Sequence, residues 1–260
     1  MKIKAVIFDW AGTMIDYGCF APVEALMCVF KEKGICLTER QARGPMGIEK
    51  KQHIRTLCRL TTVMKQWQQQ YGCPPDEKDI DGLYNRFEHL LSDLQSRYAT
   101  AVPGFPELFM ALKKKGIKIG STTGYSKKIM ERLRKEAMLK NYCPDSIVTP
   151  DDVTKGRPFP WMCFKNMENM EVYPPLSCIK VGDTISDIKE GLNAGIWSIG
   201  IIKGSSELGL SLEEVQSMPS IQLEKKCGIV MKKFLEAGAH YVLDTIACLP
   251  EVIEKISCTK

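Results

Sequence analysis

Ile3-Lys4-Ala5-Val6-Ile7-Phe8-Asp9-Trp10-Ala11-Gly12-Thr13 says more about the architecture of this chain than any other segment. An apolar, partly β-branched run of a few residues stops abruptly at a carboxylate, and Ala-Gly-Thr follows. Strands buried on both faces of a parallel sheet look like this, because neither face needs polar side chains. In open α/β sheets ligands bind beyond the carboxyl ends of the strands, which is where Asp9 stands. A single aspartate there is equally readable as a turn or cap residue, so its company decides.

Similar short runs recur at Ile117–Ser121, Ser146–Thr149, Cys178–Val181 and Trp197–Ile201, with a last one at His240–Leu243. Helical patterns separate them. This alternation predicts an α/β fold with a doubly wound, mostly parallel sheet. Residues 18–100 break the rhythm. Val23, Leu26, Met27 and Phe30 recur at helical spacing, and Leu83, Tyr84, Phe87, Leu90, Leu91 and Leu94 continue one apolar stripe over three turns. Pro45, Gly47 and Gly72-Cys73-Pro74-Pro75 punctuate the interval. The expected organisation is a core of residues 1–17 and 101–260, with a helical cap domain, 18–100, inserted after the first strand.

Composition narrows the field. The chain has 260 residues, 44% hydrophobic and 26% charged, values of an ordinary globular protein large enough for a full core. No apolar run approaches the ~18 residues of a membrane span, so no membrane association is expected. The opening residues lack a secretory pattern, which points to the cytoplasm. Lys and Arg exceed Asp and Glu by 36 to 31, but the basic residues are scattered, so no nucleic-acid partner is expected. The 11 cysteines include no C-x-x-C pair and read as free thiols. With three histidines, a zinc site has little to draw on.

The strand ends supply the chemistry. Gly120-Ser121-Thr122-Thr123-Gly124 closes the second core strand with hydroxyls and amides at a helix start, an anion-binding arrangement. Gly156-Arg157-Pro158 places a fixed cation before a helix. Val181-Gly182-Asp183-Thr184-Ile185-Ser186-Asp187 adds two carboxylates. Thr184-x-x-Asp187 resembles a capping box, which would account for Asp187 but not for Asp183. Hard oxygen ligands such as Asp9 and Asp183 suit Mg²⁺, and a metal, an arginine and amides together form a clamp for phosphoryl oxygens. In the insertion, Arg43-Gly44-Pro45-Met46-Gly47-Ile48-Glu49-Lys50-Lys51-Gln52-His53 runs from a turn into a helix. Lys50 and His53 share one face. Either Lys50 or Lys51 could be a nucleophilic amine or an ordinary surface lysine.

Asp9, Thr123, Arg157 and Asp183/Asp187 match in order the four motifs of the haloacid dehalogenase superfamily, which the chain resembles. The resemblance implies a Rossmann-like core, Mg²⁺ as cofactor and an aspartate nucleophile. Two positions depart from the pattern. The superfamily's phosphatases carry a second aspartate, a general acid, where this chain has Ala11, and its third motif usually has lysine where this chain has Arg157. Lacking the acid that protonates an oxygen leaving group, a carbon leaving group with a lysine Schiff base as electron sink becomes the natural alternative.

The resemblance to the phosphonoacetaldehyde hydrolase family is closer and covers nearly the full length. It rests on Asp9–Thr13, Asp16–Pro22, Pro45-Met46-Gly47 with a lysine three residues on, Ser121–Tyr125, Gly156–Met162, Lys180–Thr184 and Gly204–Gly209. It implies hydrolysis of phosphonoacetaldehyde to acetaldehyde and phosphate, in the breakdown of 2-aminoethylphosphonate. Spacing from Pro-Met-Gly assigns the Schiff base to Lys50. Also implied are Asp9 as nucleophile, a metal held by Asp9, the Ala11 carbonyl and Asp183 with Asp187 in support, and phosphoryl contacts from Thr123, Gly124 and Arg157. His53 would shuttle protons. Met46, Cys19 and Tyr125 would shape the cavity, although Met46 and Cys19 also read as plain packing. Met14 and Gly44 depart from the family pattern near the site. A homodimer through the cap is implied, with Val23–Phe30 either its interface or cap core. The rivals are a phosphomonoesterase or phosphomutase of the same superfamily and a silent phosphate-binding scaffold. Trp10 and Trp161 are expected in the core, and His89 and His240 have no assigned role.

Overall fold

The computed structural model describes residues 2–258; Met1, Thr259 and Lys260, at the ends of the expected core segments, lie outside the described residues. Six strands form one parallel sheet: β1 (Ala5–Phe8), β2 (Lys118–Thr122), β3 (Ser146–Val148), β4 (Cys178–Gly182), β5 (Trp197–Ile201) and β6 (Tyr241–Leu243), in the order β3-β2-β1-β4-β5-β6. Each expected strand is present, with ends shifted by up to two residues. β1 is central, with Ala5 paired to Lys118 on one side and to Cys178 on the other. Alternation along it feeds both faces. Val6 and Phe8 join the larger core, where Phe8 meets Phe105 edge-on at 5.4 Å, and Ala5 and Ile7 pack with Cys163 and Met167 behind the sheet. The strand order reverses direction between β1 and its neighbours β2 and β4, opening a crevice at their carboxyl ends.

Between β1 and β2 run α1 (Phe20–Glu32), α2 (Glu39–Arg43), α3 (Lys50–Cys58), α4 (Thr61–Tyr71), α5 (Glu77–Tyr98) and α6 (Phe105–Lys114). The helices α1 and α5 pack together; Val23, Leu26 and Phe30 are buried, as are Leu83, Phe87 and Leu91. Most of the Val23–Phe30 stripe is thus interior to the insertion, and only Met27 stays partly exposed. Asp16 caps α1 from outside its first turn: its carboxylate accepts the amides of Phe20 and Ala21 at 2.9 and 3.0 Å. α5 starts from a capping box at Asp76. The remaining helices are α7 (Lys127–Leu139), α8 (Trp161–Asn169), α9 (Ile185–Asn193), α10 (Leu212–Ser217), α11 (Ser220–Glu236) and α12 (Leu249–Cys258).

One expectation fails. Trp10 is fully buried, but Trp161 is 44% exposed, beside Phe164. α8 turns Met162, Cys163, Asn166 and Met167 inward, which leaves its first residue outside that face. The eleven cysteines are free, and among the described residues no helix is long and apolar enough to cross a membrane.

Candidate active site

The crevice gathers side chains from four core segments. Asp9 follows β1, Thr123-Gly124-Tyr125 follow β2, Asp183 follows β4, and Arg157 comes from the segment between β3 and α8. Asp9, Ala11, Thr123, Gly124, Tyr125, Arg157 and Asp183 line a single cavity with Cys19, Met46 and Lys50. Ten of the twelve residues singled out from sequence therefore share it. His53 and Asp187 stand behind its wall, and Gly47 and Thr184 complete the lining. The cavity measures about 20 Å³, space for about one water.

The floor is a dense ionic network. Ligand atoms of Asp9, Asp183 and Asp187 lie within 4.8 Å of one another. Arg157, fully buried, reaches Asp9 at 2.7 Å, Glu190 at 2.9 Å and Asp187 at 3.0 Å. Lys180, buried in the middle of β4, sits 2.8 Å from Asp187 and 3.5 Å from Glu190. Four carboxyls thus face two cations. Burial, reinforced by the charges of Asp9 and Asp187, pushes the Asp183 carboxyl well above the usual range. Burial also raises Glu190, against the pull of Arg157 and Lys180. Asp187 goes the other way, held low by Arg157 and Lys180 despite its burial.

A divalent cation fits this floor. Asp183 accepts the Ser206 amide on Oδ2 at 2.8 Å, while its buried Oδ1 has no hydrogen-bond partner. An orphaned carboxylate oxygen beside a second carboxylate is a hard-ligand arrangement. Asp187 is less free to ligate: Oδ1 faces both cations, and Oδ2 takes the Thr184 hydroxyl at 2.5 Å. The Thr184 hydroxyl also accepts the Asp187 amide, but the Asp187 carboxylate does not return to the Thr184 amide, so the alternative reading of Thr184-x-x-Asp187 as a plain capping box is incomplete. Gly12 (φ +88°) is required here: a methyl group would collide with the Asp183 carboxylate.

The roof comes from the insertion. Met46, Gly47 and the first residue of α3, Lys50, close over the crevice. The Lys50 amide donates to the Gly124 carbonyl at 3.2 Å, and Arg157 Nη1 donates to the Gly47 carbonyl at 3.3 Å. Gly47 (φ +90°) lies so close to Thr184 and Ser186 that no side chain fits. Lys50 Nζ points at Met46 Sδ, 3.3 Å away, and at the Tyr125 ring, 5.6 Å from its centre. Among the described residues it makes no ion pair. Burial lowers its pKa, with Arg157 adding to the effect and Cys19, Asp9 and Asp183 opposing it. Lys51 instead pairs with Asp81 at the surface, 2.6 Å away. His53 Nε2 lies 2.9 Å from the Ala42 carbonyl and Nδ1 is buried without a partner; burial and Lys50 hold the ring well below the ordinary histidine range. Burial raises the Cys19 thiol and the Tyr125 phenol, keeping both neutral.

Sequence reasoning passed over Thr122, Lys180 and Glu190. Lys180 had a signal, a lone cation inside the apolar run Cys178–Val181. Glu190 falls one turn after Asp187 and so on its face of α9. Asp16 was missed as well: burial raises its carboxyl to about 7, against the pull of two amides, Arg43 and Lys50.

A carboxylate at the end of the central strand, a facing carboxylate pair and a helical insertion at this crevice are the features of a haloacid dehalogenase-like hydrolase, and the model of that family matches residues 3–195. Two curated phosphonoacetaldehyde hydrolases, from Bacillus cytotoxicus and Bacillus cereus strain G9842, are each 50% identical over 256 residues, covering 98% of this chain and 97% of theirs. The crystal structure of a phosphonoacetaldehyde hydrolase-like protein from Oleispira antarctica superposes with a TM-score of 0.96 at 38% identity, over 98% of this chain and 93% of that one. The chain belongs to the phosphonoacetaldehyde hydrolase family.

Proposed function

We propose that this chain hydrolyses the carbon–phosphorus bond of phosphonoacetaldehyde to acetaldehyde and phosphate, with residues 18–100 acting as a cap domain. One observation carries the mechanism: the buried, unpaired amine of Lys50 shares a cavity with Asp9, while position 11 offers no acid. Burial lowers the Lys50 pKa, which favours its free amine. It condenses with the aldehyde, releasing water and leaving an iminium. Asp9 attacks phosphorus, and the carbon–phosphorus electron pair flows into the iminium to give an enamine. A proton on the enamine carbon restores the iminium, and water frees acetaldehyde and Lys50. A second water hydrolyses the aspartyl phosphate, so the sum consumes one water.

Two domains supply the two nucleophiles, so seating of the roof governs their approach. Thr123 Oγ1 accepts the Tyr125 amide at 3.1 Å, which leaves its own proton for a phosphoryl oxygen; the Gly124 amide and Arg157 take others. His53 is the proton shuttle, because Nε2–H on the Ala42 carbonyl leaves Nδ1 as a buried acceptor near Lys50. Asp9, the Ala11 carbonyl and Asp183, braced by Asp187, would hold Mg²⁺, which supplies positive charge for the phosphoryl oxygens. A groove of about 550 Å³ beside α1, lined by Phe20, Met27 and Tyr98 together with Glu24, Lys31 and Glu39, takes a second copy of the chain. The enzyme works in the cytoplasm, where its thiols stay reduced.

The test compares acetaldehyde release from phosphonoacetaldehyde with phosphate release from an aryl phosphate, both with Mg²⁺, for wild type and Lys50→Arg. Fast acetaldehyde release that is lost in Lys50→Arg, with poor aryl ester turnover, is expected. Turnover of the aryl ester alone would replace this reading with a phosphomonoesterase.

A further inference from the structure

Arg157 has five N–H groups; four donate hydrogen bonds, and the guanidinium also pairs with Asp187. Nε donates to Glu190 Oε2 at 2.9 Å. Nη2 donates to Asp9 Oδ1 and to Thr122 Oγ1, each at 2.7 Å. Nη1 donates to the Gly47 carbonyl at 3.3 Å and faces Asp187 Oδ1 at 3.0 Å. A phosphoryl group entering the cavity must take over one of these arms. The arm on Asp9 is the one to be released, because that carboxylate has to turn its oxygen to phosphorus. At that moment the guanidinium loses an anchor, and something else has to keep it in place.

Glu190 and Thr122 have the geometry to do so. The Thr122 hydroxyl accepts from Nη2 and passes its own proton to Glu190 Oε2 at 2.9 Å, the same oxygen that accepts from Nε. The guanidinium, the hydroxyl and the carboxylate therefore form a closed triangle. Glu190 and Thr122 are both fully buried, on α9 and at the end of β2, two rigid elements. The triangle fixes the Nε edge and one N–H of Nη2, and leaves the N–H on Asp9 as the movable one. A lysine has no second edge to be held in this way, so the triangle has a purpose only with arginine at 157.

We infer that Glu190, assisted by Thr122, is a positioning residue that holds Arg157 in place while its Asp9 arm passes to the phosphoryl group. The inference rests on the proposed function in taking the ligand to be a phosphoryl group and Asp9 to be the group that attacks it.

The test is a double-mutant cycle on Glu190→Gln, Thr122→Val and Arg157→Lys. It reads inorganic phosphate binding to the Mg²⁺-loaded protein by calorimetry, and kcat and KM separately. Glu190→Gln keeps the shape but loses the charge, and should weaken phosphate binding about tenfold, with a matching fall in kcat/KM. Thr122→Val should cost about threefold. In the Arg157→Lys background either change should cost less than about twofold. Equal losses in both backgrounds, or wild-type phosphate affinity in Glu190→Gln, would overturn the inference. Should Glu190→Gln fail to fold, the Thr122→Val cycle decides alone. If wild type binds phosphate but leaves phosphonoacetaldehyde intact, the substrate assignment falls and the phosphate cycle still decides the role of Glu190.

Discussion

Lys50 lines the cavity and Lys180 lies in the ionic network beneath it, and both are buried, at 4% and 0% exposure. Their electrostatics are opposite. On the floor, Lys180 is held between Asp187 and Glu190, whose attraction outweighs burial and the repulsion of Arg157 and raises its pKa. On the roof, Lys50 has a thioether and an aromatic face as neighbours, and burial lowers its pKa. Burial alone therefore does not make a lysine reactive. What matters is burial without a carboxylate in contact, which leaves the charged form poorly compensated and the free amine accessible.

That contrast can be broken from either side. Lys50→Arg keeps a long basic side chain but removes the nucleophilic amine, and acetaldehyde release should fall by about 10³-fold or more. Borohydride reduction with phosphonoacetaldehyde should add a substrate fragment to wild type and nothing to the variant, by intact mass. Lys180→Met leaves Asp187 and Glu190 undercompensated, and urea unfolding should show a loss of about 3–5 kcal/mol.

A carboxylate can also be moved to the roof. In the proposed mechanism Lys50 reacts as the free amine, so kcat/KM should rise with pH and level off below the ordinary lysine value of 10.5. Met46→Glu would make Lys50 resemble Lys180 and shift that rise to higher pH by about one unit; a pH–rate profile of the two proteins checks it. Gly47→Ala sets a methyl group against Thr184 and Ser186 and puts a side chain on a backbone at φ +90°. It should lower kcat/KM about tenfold and cost about 1–3 kcal/mol in urea unfolding.

The strands were legible because a buried parallel strand has to be a short apolar run with a sharp end, and the site was legible because its carboxylates sit at those ends. The interior of the insertion was less so. α4, Thr61–Tyr71, buries only Val63 and Trp67, so its apolar period is too sparse to read. Lys180 and Glu190 escaped notice because a lysine in a strand and a glutamate in a helix look ordinary until the fold places them beside Arg157. Trp161 was misplaced because residue type suggested burial, whereas helix phase decided the matter.

Gly47 carries a consequence for the modularity of the molecule. The insertion touches the floor at a place where its own chain has no side chain and the core offers Thr184 and Ser186. The two halves are thus matched like a key cut for one lock: an insertion transplanted from a relative with any side chain at this position would not seat on this core, and this insertion would sit loosely over a core with smaller residues at 184 and 186. Change of substrate by swapping caps is open to this scaffold only if both sides of that seam change together.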